Sequence, residues 1–257
     1  MRALFRSLFL QLALGGAAWT ADLPQTPAQE APDQPCIKLN HKGQPDGGFQ
    51  WKTREFCKRS QAGPIGVMFI GDSIIAGWDK VPDLWQAEFG RWLPVNFGIG
   101  GDRTQHVLWR IEQGMLAGHA PHVVVLMIGT NNLGWKLPTT EIIRGQRAII
   151  TQIQSRLPNA RLIIMGLLPR GLDPTQAATH QMRLAITEIN RDLATLDDGH
   201  QTRFLDIGSA FVTPAGAVNP ELLPDGVHPN ATGYEVWATA LRPMLKDLMR
   251  DADIRAQ

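Results

Sequence analysis

The chain has 257 residues, with 25 Lys and Arg against 24 Asp and Glu, a formal charge of +1. Hydrophobic residues make up 44% and charged residues 19%, which excludes disorder over most of the length, because a disordered chain lacks the apolar surface to offset its ordering entropy. The near-neutral balance gives no electrostatic footprint for nucleic acid, and two cysteines cannot build a thiolate zinc site by themselves.

Residues 1–21 have the layout of a secretory signal peptide. Arg2 and Arg6 precede a mostly apolar run from Leu8 to Leu14, and small residues follow, with Gly16-x-Ala18 as the cleavage site. The run is too short for a bilayer span, so a secreted or periplasmic chain is expected, with no membrane span after cleavage. Residues 22–62, rich in Pro, Gln, Asp and Gly at first, read as a linker or arm, with a short helix over 51–58. In an oxidising compartment Cys36 and Cys57 are expected to pair, and the bond would contribute ~3 kcal/mol in the chain-entropy account.

From residue 63 to 250 the pattern is regular, leaving 251–257 as a tail. Apolar runs at 65–70, 93–97, 122–128, 161–167 and 203–207 read as strands. Several are continuous rather than alternating, as in strands covered on both faces. Helical patterns separate them, at 83–89, 104–114, 142–157, 182–196 and 231–249, the last weakened by Gly233 and Pro243. This alternation predicts one three-layer α/β/α domain with a five-stranded parallel sheet, and such sheets bind ligands at the carboxyl ends of their strands.

The turns at these strand ends are polar or glycine-rich. Gly71-Asp72-Ser73-Ile74 comes after the first strand, Asn96-Phe97-Gly98-Ile99-Gly100-Gly101-Asp102 closes the second, Gly129-Thr130-Asn131-Asn132 comes after the third, and Asp225-Gly226-Val227-His228-Pro229 lies beyond the fifth. With these four blocks in this order, the chain resembles the SGNH (GDSL-type) hydrolase superfamily over roughly residues 65–248. The stretch NFGIGGDRTQHVLWRIEQGMLAGHAPHVVVLMIGTNN, 96–132, is especially similar to the catalytic-subunit branch of platelet-activating-factor acetylhydrolases and their bacterial esterase relatives. The resemblance implies a flavodoxin-like fold and a carboxylic ester hydrolase that needs no metal or cofactor.

The chemistry can also be argued from the residues. A serine hydroxyl is a weak nucleophile until a base takes its proton; Ser73, fixed at a strand end, is the candidate, although serine there also caps helices. His228 is the base, since an imidazole exchanges protons near neutrality, and Asp225 three residues earlier orients the ring. His119 and His122 lack a third metal ligand at helical spacing. The oxyanion formed on attack needs donors. The backbone amides of Ser73 and Gly101 suit this, and the Asn131 side chain is the third; in the family's pattern the same places fall on Gly101 and Asn131. Asn132 stands where many relatives carry Asp. Asp72 is read as a brace of the nucleophile loop and Asp102 as a helix N-cap, and Trp78 and Trp135 as either pocket walls or core.

Other readings fit less well. Gly98-x-Gly100 comes after a strand, but Arg103 occupies the third glycine position of a dinucleotide fingerprint. Ser73 lacks the Gly-x-Ser-x-Gly elbow, since residue 75 is Ile. The expected activity is hydrolysis of a short-chain ester, acetyl foremost, on a small molecule or an O-acetylated carbohydrate. A lysophospholipase, a thioesterase and an O-acyltransferase would use the same site, and a glycan-binding module with a silent site is a further alternative.

Overall fold

A computed structural model describes residues 31–173 and 175–255. The signal peptide expected at 1–21 lies outside the described residues.

Helix α1 (Gly47–Gln61) opens the fold, capped by Asp46, whose side chain accepts from the Phe49 N–H. Then come β1 (Val67–Gly71), α2 (Ser73–Ala76), α3 (Pro82–Phe89), β2 (Pro94–Gly98), α4 (Thr104–Glu112), β3 (Val123–Met127), α5 (Thr130–Gly134), α6 (Thr139–Arg156), β4 (Arg161–Met165), α7 (Ala177–Ala194), β5 (Thr202–Leu205) and α8 (Ala231–Arg255). The five strands form one parallel sheet in the order β2-β1-β3-β4-β5.

Successive strand side chains point to opposite faces. Met68 and Ile70 of β1 join Val107 and Ile111 of α4, Ile149 and Ile153 of α6 and Ile189 of α7. Val67 and Phe69 join Ile75 of α2, Phe89 of α3 and Trp237 and Leu241 of α8. Both faces are therefore covered, which is why β1 and β3 are apolar without alternation. Among the described residues no helix is long and apolar enough to cross a membrane.

Three expectations are corrected in and around the N-terminal segment. Residues 31–61 are not a linker: α1 is longer than the expected 51–58, its Phe56 ring stacks on Phe97 at 4.5 Å, Pro32 O accepts the Thr104 hydroxyl, and Arg144 pairs with Asp33 at 3.2 Å. Cys36 and Cys57 are not joined by the expected disulfide. The Cys36 N–H donates to Gln105 O, near one end of α4, while Cys57 Sγ contacts Gln113 O, 3.3 Å away, just past the other. Eight residues of helix span about 12 Å, beyond disulfide reach. Burial pushes the Cys57 thiol up, against the neighbouring Arg110 charge. At the other end of the chain α8 stays helical through Gly233 and Pro243, and includes most of the expected tail.

The sheet order decides where a site can form. The chain leaves β1 for β2 on one side and then crosses to β3 on the other, so β1 ends at a topological switch point. Register adds precision: Gly71 pairs with Gly98 on β2 and with Met127 on β3. The turns after all three strands thus begin at one level of one edge.

Candidate active site

Ser73 is the first residue of α2, whose N-cap is Asp72; the Asp72 carboxylate accepts from the Ile74 N–H at 2.9 Å. This contact ties down the turn that carries Ser73. Tyr234 of α8 donates its hydroxyl to Ile74 O at 2.7 Å, fixing the same short helix from the other side. Gly98 lets β2 approach it, because a Cβ there would meet Ala76 N at 2.2 Å.

Ser73 Oγ lies 2.9 Å from His228 Nε2, and His228 Nδ1 lies 2.6 Å from Asp225 Oδ2. The second Asp225 oxygen accepts from the backbone N–H groups of Val227 and His228, at 2.9 and 2.8 Å. Partial burial raises the Asp225 pKa, but the His228 backbone and ring hydrogen bonds and the Val227 N–H outweigh it and hold the carboxyl at about 2. Asp225 is therefore anionic at any ordinary working pH. With Nδ1–H donated to it, Nε2 is left as the acceptor for the Ser73 proton. Residues 155 positions apart thus meet in one line.

The Gly100–Asp102 turn abuts Ser73: a Cβ on Gly100 would lie 3.9 Å from Ser73 Cβ. Gly101 has φ +73°, a conformation that favours glycine. Asn131 Nδ2 donates to Asp102 O at 2.9 Å. An amide carries two donors, so this bond tethers Asn131 beside Gly101 and leaves one N–H to spare. Asn132 is fully buried and accepts from Thr104 N–H at 3.0 Å, joining α5 to the start of α4. If the spare Asn131 N–H serves an oxyanion, Asn131→Ala is expected to lower kcat by ~10²–10³ in p-nitrophenyl ester assays; an unchanged kcat would remove it from the site.

Asp102 is not the N-cap of α4. That place is held by Arg103, whose N–H donates to His106 Nδ1, because the Asp102 carboxylate is turned inward. It is 0% exposed and lies 3.0 Å from Arg110 Nη2 and 3.6 Å from Lys38 Nζ. Arg110, also 0% exposed, donates to Phe97 O at 2.8 Å and to Gly71 O at 3.2 Å. One guanidinium therefore grips the ends of β1 and β2, each just before a site loop. Burial raises Asp102 to about 6 against the pull of Arg110 and Lys38. It raises Asp72 to about 7 against the Ile74 N–H, with Asp102 adding to the rise. His106, 3.9 Å from Asp102, is driven down to about 2 by burial and by the surrounding cations, Arg103 first.

Arg110, Tyr234 and Arg170 were not singled out by sequence. Arg170 donates to Thr130 O at 2.6 Å, and the next residue, Gly171, donates its N–H to Gly226 O at 3.0 Å, which links the Asn131 turn to the Asp225 loop. Arg110 did leave a signal: it sits three after Val107 and one before Ile111, on the apolar face of its helix. The two tryptophans separate. Trp78 is not a pocket wall; it is 1% exposed among Phe69, Trp85, Phe89, Tyr234 and Trp237. Trp135 is 66% exposed, with the Arg103 guanidinium 4.4 Å over its ring.

Residues 69–236 match the GDSL-like Lipase/Acylhydrolase family. The chain belongs to that family. Membership places this GDSL acylhydrolase among carboxylic ester hydrolases. It is 34% identical over 206 residues to platelet-activating factor acetylhydrolase IB subunit alpha1 of Bos taurus, covering 80% of this chain and 86% of the relative. Among solved structures, a GDSL-like lipase from Bacteroides thetaiotaomicron superposes with a TM-score of 0.62 at 19% identity, over 77% of this chain and 97% of that one. An acetylxylan esterase from Geobacillus stearothermophilus does so with 0.53 at 20% identity, over 71% and 96%. Both share the three-layer fold with this GDSL acylhydrolase.

Proposed function

We propose that this chain is an exported serine esterase that removes short acyl groups, acetyl foremost, from O-acylated carbohydrate. The observation that carries the reading is the hydrogen-bonded line Ser73–His228–Asp225. Ser73 Oγ attacks the ester carbonyl as its proton passes to His228 Nε2. The tetrahedral oxyanion takes hydrogen bonds from the Ser73 and Gly101 amides and from the Asn131 side chain. As the intermediate collapses, the imidazolium gives its proton to the departing alkoxide. Water then adds to the acyl-Ser73, its proton going to Nε2, and that proton returns to Ser73 Oγ as the acid leaves. Asp225, anionic throughout, stabilises the imidazolium at each stage.

Two observations favour a bulky polar alcohol. His228 and Asp225 side chains are 41% and 59% exposed, so the site opens to solvent. Trp135, four residues past Asn131, is 66% exposed although Arg103 lies over one face of its ring, and sugars stack on exposed aromatic rings. The acetyl group is supported by the acetylhydrolase relatives and the acetylxylan esterase fold neighbour. Export rests on the charged and apolar pattern of the first residues; N-terminal sequencing of secreted protein starting elsewhere than after Ala18 would remove that cleavage site.

The test is acetate release from acetylated xylooligosaccharides with no added acceptor. Release supports the hydrolase. Turnover only with an acceptor alcohol would make the chain a transferase, release from a lysophospholipid or a thioester alone would change the substrate class, and retention of the glycan without release would make it a binding module. In the same assay Trp135→Ala is expected to raise KM about 3–10-fold, with p-nitrophenyl acetate kinetics nearly unmoved. Equal effects on both substrates would deny Trp135 a role in holding the sugar.

A further inference from the structure

The N-terminal arm ends against the oxyanion turn. Lys38 Nζ donates to the Gly100 carbonyl and lies 3.6 Å from the Asp102 carboxylate. It sits so close that a Cβ on Gly101 would come within 3.1 Å of it. The lysine stands on a fixed platform. Its own carbonyl accepts from the Asp46 N–H at 2.8 Å, Leu39 bridges to Pro45, and Asp46 caps α1. Upstream, the Cys36 N–H donates to Gln105 O.

The peptide between Gly100 and Gly101 needs such support. A trans peptide is planar, so its C=O and N–H point in opposite directions. Neither flanking residue has a Cβ to oppose rotation of that plane. In one orientation the Gly101 N–H can face the crevice; flipped, the carbonyl would face it, and a developing oxyanion would meet a negative dipole. An ammonium held on the carbonyl side selects the first orientation, because it would lose a charge-assisted hydrogen bond in the second. The buried Asp102, itself held by Arg110, keeps the ammonium in place.

We propose that Lys38 is a positioning residue for the oxyanion turn: by holding the Gly100 carbonyl on the arm side, it fixes the Gly101 N–H toward the crevice beside Ser73. This deepens the esterase reading and rests on it for the role of Gly101. The segment expected as a linker thereby becomes part of the catalytic apparatus.

The test uses the full chain with Lys38→Met, which keeps the length and loses the donors, and Lys38→Arg, which keeps a cation. With p-nitrophenyl acetate, Lys38→Met is expected to lower kcat ~10–100-fold, less than the loss of a whole oxyanion donor, with KM changed by less than about twofold. Lys38→Arg is expected to regain most of the rate. In protein labelled with [15N]glycine, the assigned Gly101 amide signal is expected to broaden or split in Lys38→Met, as the peptide samples both orientations. An unchanged kcat, or a loss carried by KM, would overturn the proposal. If the wild type turned over no ester, the esterase reading would fall and the Gly101 signal alone would decide the latch, an unaltered signal overturning it.

Discussion

Ser73→Ala is expected to lower kcat for p-nitrophenyl acetate by ~10⁴–10⁶ while leaving the fold in place. The activity loss comes from removing the only group in the Ser73–His228–Asp225 line that can bond to the acyl carbon. The fold should survive for local reasons. Helix α2 is capped by Asp72 rather than by the Ser73 hydroxyl, and it is held from α8 by Tyr234. The partner left behind, His228, is 41% exposed, so water can satisfy Nε2 and no buried polar group is orphaned. Thermal unfolding and steady-state kinetics on the same preparation check both halves. Turnover that persists in the variant would take Ser73 out of the mechanism, and with it the reason for the Nε2 contact.

Arg110→Met is expected to destabilise the protein by ~3–5 kcal/mol at pH 8, the usual consequence of leaving a buried charge without its partner. That is a large share of the ~5–15 kcal/mol that holds a typical domain together. Methionine fills much of the volume but donates nothing to Phe97 O or Gly71 O, so the ends of β1 and β2 lose their common tie and activity should fall as well. The pH dependence identifies the cause. Asp102 is raised in the folded state from 3.8 to about 6 by burial, against Arg110 and Lys38. A carboxyl raised on folding binds its proton more tightly in the native state, so stability is greatest below the unfolded value and falls as pH rises through the folded one. Asp72, raised to about 7, acts in the same direction, while His106, lowered on folding to about 2, acts in the opposite one and does so in variant and wild type alike. Without Arg110 the folded Asp102 value should rise further. Urea midpoints should therefore separate variant from wild type more widely at pH 8 than at pH 5. A deficit of equal size at both would show that the Asp102 charge is not what Arg110 compensates.

Much of this was legible in the amino-acid order. Strands buried on both faces need continuous apolar runs, and 65–70 and 122–128 supplied them, so the parallel sheet could be read to within a few residues. Ser73, Gly101, Asn131, Asp225 and His228 stood out because each lies in a turn where polar chemistry is not needed for packing. Local pattern could not say which way a side chain turns when both choices are locally sound. Asp102 precedes a helix and so looked like a cap, but its carboxylate faces inward to Arg110. Trp78 lies five residues past Ser73 and faces the core, whereas Trp135 faces solvent. Cys36 and Cys57 are near in sequence and sit against opposite ends of α4.

The order of residues was enough for the layers and the strand ends, and it marked the polar turns as the place to look for a site, because hydrophobic period and turn chemistry act over a few neighbouring residues. That Lys38, Asp102 and Arg110 form one chain of charges behind the Gly100–Asp102 turn emerges in three dimensions alone. Long-range electrostatic pairing in a buried space depends on distances that residue order does not encode, and burial there makes Asp102 and Arg110, residue types ordinarily found at the surface, the supports of that turn.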